Sequence, residues 1–312
     1  MFAPLLATSL FGCLQLLADL LFVVIPAFLI LGGGRVSSRC ARNLAWIGAC
    51  LLVGLGLWST QIEPRWLEVT HHRIESPKIE QPVRLVVVSD LQTDRWSSFE
   101  QRVVREVALQ QPDIVLMTGD YFQVGGDRRR DVVRAFRHEM SVSDLGAHGG
   151  VFAVGGDVDR PGWERDFEGT GVTPVVETSR FEASGLLFTA LDREASRRVS
   201  DTWRGSSRSV ERFHVMFGHA PDFALAHPAA DLMLAGHVHG GQVRLPFFGP
   251  LLTFTTVSRD WAVGRTDFAA DDRYTRRTLI VSRGVGMERG QAPRLRFLCR
   301  PELLVIDLLP RP

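Results

Sequence analysis

The stretch Ala235-Gly236-His237-Val238-His239-Gly240-Gly241-Gln242 follows directly on the apolar run Leu232-Met233-Leu234. A short buried strand that stops at a glycine, then offers two imidazoles at i and i+2 and two more glycines, predicts a loop whose backbone comes close to a bound ion. Histidine pairs in such loops are frequent metal ligands. Taken alone, an H-x-H is equally compatible with one imidazole finishing a strand and the other standing in solvent. The rest of the chain decides between the two.

The same pattern recurs upstream. Residues 84–89 form a β-branched run ending at Asp90, residues 113–118 end at Gly119-Asp120, and residues 150–154 end in Gly155-Gly156-Asp157-Val158-Asp159. Residues 213–217 run into Gly218-His219. Helical spacing lies between the first three, at 100–110 (Val103, Val104, Val107) and at about 130–140. Strands alternating with helices predict an α/β domain, and the carboxyl ends of strands in such sheets are where ligands bind, so the five tips are expected to converge. Runs at 278–282, 295–299 and 303–308 predict further strands that complete a second sheet.

Composition narrows the chemistry. With 312 residues, 45% hydrophobic and 23% charged, the chain can build a large core and is not a disordered protein. A net charge of +1 gives no basic excess for a nucleic-acid partner. Cys13, Cys40 and Cys50 lie in the N-terminal apolar region and only Cys299 lies beyond it, which excludes a disulfide framework and a thiolate zinc site. Any metal is held by nitrogen and oxygen.

Residues 1–60 read as a membrane anchor of two transmembrane helices, about 5–31 and 44–60. The first run is interrupted only by Gln15, Asp19 and Pro26 and is long enough to cross a hydrocarbon core of about 30 Å. Trp46 and Trp58 bracket the second. Arg35, Arg39 and Arg42 crowd the connecting loop, which the positive-inside rule places in the cytoplasm, leaving the rest of the chain extracytoplasmic. A cleaved signal peptide would need a basic n-region and a small-x-small site that are missing here. Residues 61–79 read as a linker and 80–312 as the α/β domain.

Asp90, Asp120, Asp157, His219, His237 and His239 together suit divalent Mn, Fe or Zn, in number enough for two ions. Individually, Asp90 and Asp120 could cap helices and His219, before Ala220-Pro221, could sit in a turn. The order Ser89-Asp90, Gly119-Asp120, Gly156-Asp157-Val158-Asp159, Gly218-His219-Ala220-Pro221-Asp222 and Gly236-His237-Val238-His239-Gly240-Gly241-Gln242 resembles the calcineurin-like metallophosphoesterase superfamily over residues 80–310. Val281-Ser282-Arg283-Gly284-Val285-Gly286 with Pro301-Glu302 resembles its membrane-associated bacterial branch. The resemblance implies a two-sheet β-sandwich flanked by helices, a bacterial inner-membrane location, and hydrolysis of a phosphate ester by a metal-bound hydroxide at a dinuclear site. It implies that Asp120 bridges the ions, that Asp90 and His239 belong to the first, that His219, His237 and Asp157 belong to the second, and that Asp120 and Asp157 are catalytic.

Three positions depart from the family pattern. Gln92 stands where an imidazole ligand is usual, so the first ion is expected to be looser, lost, or assisted by Asp94. Asp157 replaces an asparagine and brings the centre close to neutral, which weakens attraction for a dianionic phosphate. Val158 replaces a histidine that contacts the phosphate and assists the leaving group. Without a proton donor, phosphodiester or pyrophosphate bonds with good leaving groups are favoured over alkyl monoesters. Arg160 and Arg283 are candidates for holding the substrate phosphate, Arg128-Arg129-Arg130 reads as a solvated helix start, and Trp96 and Trp163 as core. The anchor makes a lipid-linked or other envelope phosphate a substrate suggested by location. A degenerate binding or scaffold module is the second reading. A lactamase-type hydrolase is disfavoured because Gly240-Gly241-Gln242 replaces that type's further ligands.

Overall fold

The computed structural model describes residues 3–200, 211–270, 276–290 and 292–311. β2 (Val83–Val88), β3 (Ile114–Met117) and β4 (Val151–Val154) are short, β-branched and covered on both faces, which is why they read as continuous apolar runs. With β1 (Glu68–Ser76), β5 (Val172–Val175) and β14 (Glu302–Pro310) they form a six-stranded sheet in the order β1-β14-β2-β3-β4-β5. Only the β14–β2 pair is antiparallel. The second sheet runs β12-β13-β9-β8-β7-β6, from β6 (Ser179–Ala183), β7 (Leu186–Ala190), β8 (His214–Phe217), β9 (Leu232–Ala235), β12 (Gly264–Phe268) and β13 (Arg277–Val281). A small hairpin, β10 (Arg244–Leu245) and β11 (Gly249–Pro250), stands apart from both.

Leu85, Val87, Leu116 and Ile306 of the first sheet meet Phe188, Val215, Phe217, Leu234 and Ile280 of the second in a buried layer, the two-sheet sandwich. The outer face of the first sheet is covered by α4 (Ser98–Leu109) and α5 (Gly126–Val142), through Val103, Val104, Val107, Val133 and Phe136. α4 starts with a capping box in which Ser97 and Glu100 satisfy each other's backbone donors. Gly125 precedes α5. Neither Asp90 nor Asp120 caps a helix, so the bland reading of those two aspartates fails.

The N-terminal apolar region folds as two antiparallel helical rods. α1 (Ala3–Asp19) continues through a π turn at Leu20–Val24 into α2 (Ile25–Gly33); the wide turn accommodates Pro26, which has no N–H to give. α3 (Arg39–Leu57) starts five residues earlier than the apolar run suggests, because Ser38 caps it and Arg39 and Arg42 join its first turn. Gly33 lies against Trp46 and Gly56 against Phe22, so small residues let the rods approach. The segments Leu10–Gly33 and Arg39–Arg65 are long and apolar enough to cross a membrane, and only 6% and 11% of their apolar windows are buried.

Two expectations are corrected. Residues 61–79 are not a linker: the helical rod continues to Arg65, and Glu68–Ser76 is β1, paired in parallel with β14 along its whole length. Its partner lies at the far end of the sequence, so local composition does not reveal it. Residues 295–299 are not a strand; the segment's ladder pairing among the described residues is a single isolated bridge from Phe297 to Val243. The rod is also tied to the domain. Arg296 N donates to Ser59 O at 2.9 Å, and Glu63, itself buried, accepts from Trp58 Nε1 at 2.8 Å and from Cys299 N.

Candidate active site

The carboxyl ends of β2, β3 and β4 in one sheet and of β8 and β9 in the other meet at one edge of the sandwich. Asp90, Asp120, His237 and His239 all leave their strands in the left-handed region, with φ of 51°, 58°, 69° and 50°. Such non-glycine conformations cost about 1–3 kcal/mol each and persist only where surroundings over-determine them. They do so here. Gly119 O accepts from Asp90 N at 3.1 Å and Asp90 O from Gly286 N at 2.8 Å. Asp120 N, Tyr121 N and Gly156 N all donate to the Asp159 carboxylate, at 2.8, 2.9 and 2.7 Å. His237 N donates to both Asp90 oxygens at 3.0 and 3.1 Å, and Val158 N to Asp120 Oδ1 at 2.8 Å. Gly236 is required by close approach, since a Cβ there would overlap the Ser89 hydroxyl.

Two groups of ligand atoms result, Asp90 with Asp120 and His219, and Asp157 with His219 and His237, each within 4.8 Å. His219 joins them, its Nε2 3.4 Å from Asp120 Oδ2 and 3.6 Å from Asp157 Oδ2. Its Nδ1 donates to Thr118 O at 2.8 Å, which fixes the ring and turns Nε2 inward. His239 Nε2 lies 3.7 Å from Asp90 Oδ1. His219 Nε2, both His239 nitrogens and Gln92 Oε1 are buried without a hydrogen-bond partner. Buried polar atoms are almost always paired, and His219 Nε2 and His239 Nε2 lie 3.4 and 3.7 Å from the carboxylates of Asp120 and Asp90, so these two orphans fit a divalent cation.

The electrostatics match a site built around positive charge. Burial, with Asp120 nearby, pushes Asp90 up to about 6. Burial would raise Asp120 too, but the positive charge of His219 beside it and the Val158 N–H hold it below the usual carboxylate range. Asp157 is half-buried, which would raise it, yet it is held far down by His219, His237 and Arg197. Burial opposes charge on His219, but Asp120, Asp157 and Asp90 overcome it and lift the imidazole well above its ordinary value. Burial and then Arg296 hold His239 well below, so it is neutral and able to coordinate.

The fold brings six of the expected ligands together, with Gln92 beside them. Gln92 Nε2 donates to Asp120 Oδ2 and Glu288 Oε2, both at 3.2 Å, and its buried carbonyl oxygen has no partner. Arg160 sits on the rim, its Nη2 3.4 Å from Val124 O. Arg283 is not brought in: its guanidinium pairs with Glu302 and Glu68 at 2.9 and 2.8 Å, on the far side of the loop behind Asp90. Asp94 is also spent elsewhere, on Arg289 at 3.1 Å and Arg294 at 2.8 Å, and does not back up Gln92. Trp163 stacks on Tyr121 and Trp96 packs edge-on against Phe136 in the core. Arg129 is not solvated, being paired with the buried Asp166. Asp159, the last residue of the third block, lies beneath Asp120, and two residues that no motif flagged also stand at the site: Glu288 behind Gln92, and Arg197, bidentate on Asp157.

Known proteins place the same blocks in context. The metallophosphoesterase YkuE of Bacillus subtilis is 27% identical over 277 residues, covering 80% of this chain and 88% of YkuE. The phosphodiesterase YaeI of Escherichia coli is 28% identical over 262 residues, covering 79% of this chain and 90% of YaeI. The metallophosphoesterase YkoQ of Bacillus subtilis is 27% identical over 177 residues, covering 53% of this chain and 63% of YkoQ. The family model for calcineurin-like phosphoesterase matches residues 83–241, from the strand that carries Asp90 to the loop that carries His237 and His239. That match spans just over half of the chain and takes in every one of the converging strand ends, so the chain belongs to the calcineurin-like phosphoesterase family of metal-using hydrolases.

Proposed function

We propose that the chain is a membrane-anchored, metal-dependent phosphohydrolase that acts on phosphodiester or pyrophosphate bonds in preference to alkyl monoesters. The observation that carries the reading is the set of orphaned buried atoms on His219, His239 and Gln92 among three carboxylates. Asp90, Gln92, Asp120 and His239 would hold one divalent ion, Asp157 and His237 would offer a second position, and Asp120 and His219 stand between the two. Bound there, such ions supply Lewis-acid neutralisation of phosphoryl charge and activation of water.

The chain's own residues supply orientation and selectivity. Thr118 O and the Asp159 carboxylate fix His219 and the Asp120 turn, so the ligands are pre-set. Val158 has no side-chain proton to give a leaving oxygen, and its N–H is engaged on Asp120. Leaving groups that depart as stable anions, phenolates or phosphates, therefore suit the site, while alkoxides do not. Asp157 adds a negative charge that disfavours a dianionic monoester more than a monoanionic diester. The relative named a phosphodiesterase agrees with that choice.

Location supports a substrate held at a bilayer. The two apolar rods, Leu10–Gly33 and Arg39–Arg65, serve as the anchor, and the basic residues Arg35, Arg39 and Arg42 favour a cytoplasmic turn and an extracytoplasmic domain. Phe247 and Phe248 are exposed at the tip of the β10–β11 hairpin. An apolar cavity of about 260 Å³ lies between α1 (Phe11, Leu14, Leu17) and the loop after the histidines (Gly241, Gln242, Phe254). A lipid-linked phosphate would place its chain there and its phosphate toward His239. The test is turnover of an aryl phosphodiester against the matching monoester by the full chain in detergent with Mn²⁺. Faster diester turnover is expected; faster monoester turnover refutes the preference, and none with any divalent ion favours a binding module.

A further inference from the structure

The two ligand groups are satisfied very differently. On the Asp90 side, His239 and Gln92 carry buried atoms with no partner. On the Asp157 side the ligand atoms apart from the shared His219 Nε2 are already engaged. Arg197 Nε donates to Asp157 Oδ1 at 2.9 Å and its Nη2 contacts Asp157 Oδ2. His237 Nδ1 lies 3.1 Å from Asp157 Oδ2. His237 Nε2 lies 3.2 Å from Arg197 Nη2 and 3.1 Å from Phe254 O.

Arg197 follows the short helix α6 (Arg193–Ser196), whose first turn is capped by Asp192 and whose last residue, the buried Ser196, accepts from Ala220 N at 3.2 Å. The backbone of the arginine is therefore fastened next to His219, and its fork reaches two ligands of the second group. We propose that Arg197 is a built-in cation of the second metal position. The chain holds one divalent ion tightly on Asp90, Gln92, Asp120, His219 and His239, and takes a second only when the guanidinium withdraws from Asp157 and His237. This rests on the reading of the protein as a metal-dependent hydrolase.

Charge supports the assignment. One divalent ion and one guanidinium together balance the carboxylates of Asp90, Asp120 and Asp157, whereas two divalent ions would make Arg197 a like charge at close range. The acid at 157 and the arginine at 197 explain each other. An amide at 157 would leave the guanidinium without its bidentate partner, and Asp157 without Arg197 would be a half-buried carboxylate calling for an ion. Sequence alone points to Gln92 and hence to a weak first ion; the hydrogen bonding places the weakness at the second.

The test counts ions rather than turnover. Full-length protein in detergent is stripped with chelator, equilibrated with Mn²⁺, and analysed for bound manganese and for its electron paramagnetic resonance spectrum. The wild type is expected to keep a single, magnetically isolated manganese per chain. Arg197→Gln is expected to bind a second at least about tenfold more tightly than the wild type does, with an exchange-coupled spectrum. Asp157→Asn, which keeps a ligand oxygen but releases the arginine, is expected to do the same and covers a folding failure of the first variant. Two tight ions in the wild type overturn the proposal, as does a single ion in both variants. No manganese in any of the three refutes the hydrolase reading itself.

Discussion

Ion binding to this site should release a proton from His219. Without an ion, the carboxylates of Asp120, Asp157 and Asp90 lift its imidazole well above its ordinary value, so it is protonated at neutral pH. Because Nδ1 is committed to Thr118 O, the proton on Nε2 sits where the ion must coordinate. A ligand that must lose a proton weakens affinity by about tenfold, or 1.4 kcal/mol, for each pH unit below its pKa. The sign is therefore fixed: Mn²⁺ affinity rises with pH, by up to about tenfold per unit while the pH lies below the raised His219 value. Below the point to which burial pushes Asp90, about 6, a second proton competes and the slope steepens. Calorimetric titration of the metal-free full chain with Mn²⁺ at pH 7, in two buffers of different ionisation enthalpy, measures the protons directly. One released proton is expected in the wild type and none in His219→Gln. A wild type that releases no proton would show that His219 is neutral among those carboxylates and would refute the electrostatic account.

The same shift has a stability consequence. The raised His219 contributes stability to the ion-free fold that is complete below its unfolded value and is lost as pH rises through its folded value, so ion-free protein should melt lower at pH 9 than at pH 6, and Mn²⁺ should remove that dependence. Val158→His restores a proton donor beside Asp120 and should raise alkyl monoester turnover, by about 10²-fold or more where proton transfer limits, while changing aryl diester turnover little; a monoester rate that stays at the wild-type level would assign the preference elsewhere. Glu63→Ala removes the acceptor for the buried Cys299 N–H and for Trp58, and should cost about 2–5 kcal/mol, read as a lowered denaturation midpoint in detergent. A change under about 0.5 kcal/mol would mean that the rod end and the domain are not coupled there.

How much of this was legible in the sequence follows from where each residue's partners lie. The strand–glycine–polar pattern is local, and it points to the five strand ends whose side chains converge. β1 has its pattern too, with Val69, His71 and Arg73 alternating against Thr70, His72 and Ile74, but its polar residues and edge position hide it until β14 is seen beside it. That omission had a second effect. With Glu68 unplaced, Arg283 looked free to bind phosphate, whereas Glu68 is one of the two carboxylates that hold it. Asp94 was misjudged for the same reason, since Arg289 and Arg294 reach it from a loop some 200 residues away. Arg197 lies in an unremarkable arginine-rich stretch. Only the extra acid at 157 hinted that a cation was needed nearby.

The most direct test of a metal-dependent hydrolase at this site is turnover of an aryl phosphodiester by full-length, chelator-stripped protein in detergent during titration with Mn²⁺, alongside Asp120→Asn. Asp120 bonds to Gln92, contacts His219 and is fixed from below by Asp159, so removing its charge disables the whole cluster. Turnover that appears only with Mn²⁺ and falls by about 10²-fold or more in the variant is the predicted result. Turnover that needs no ion, or that survives in Asp120→Asn, would contradict it.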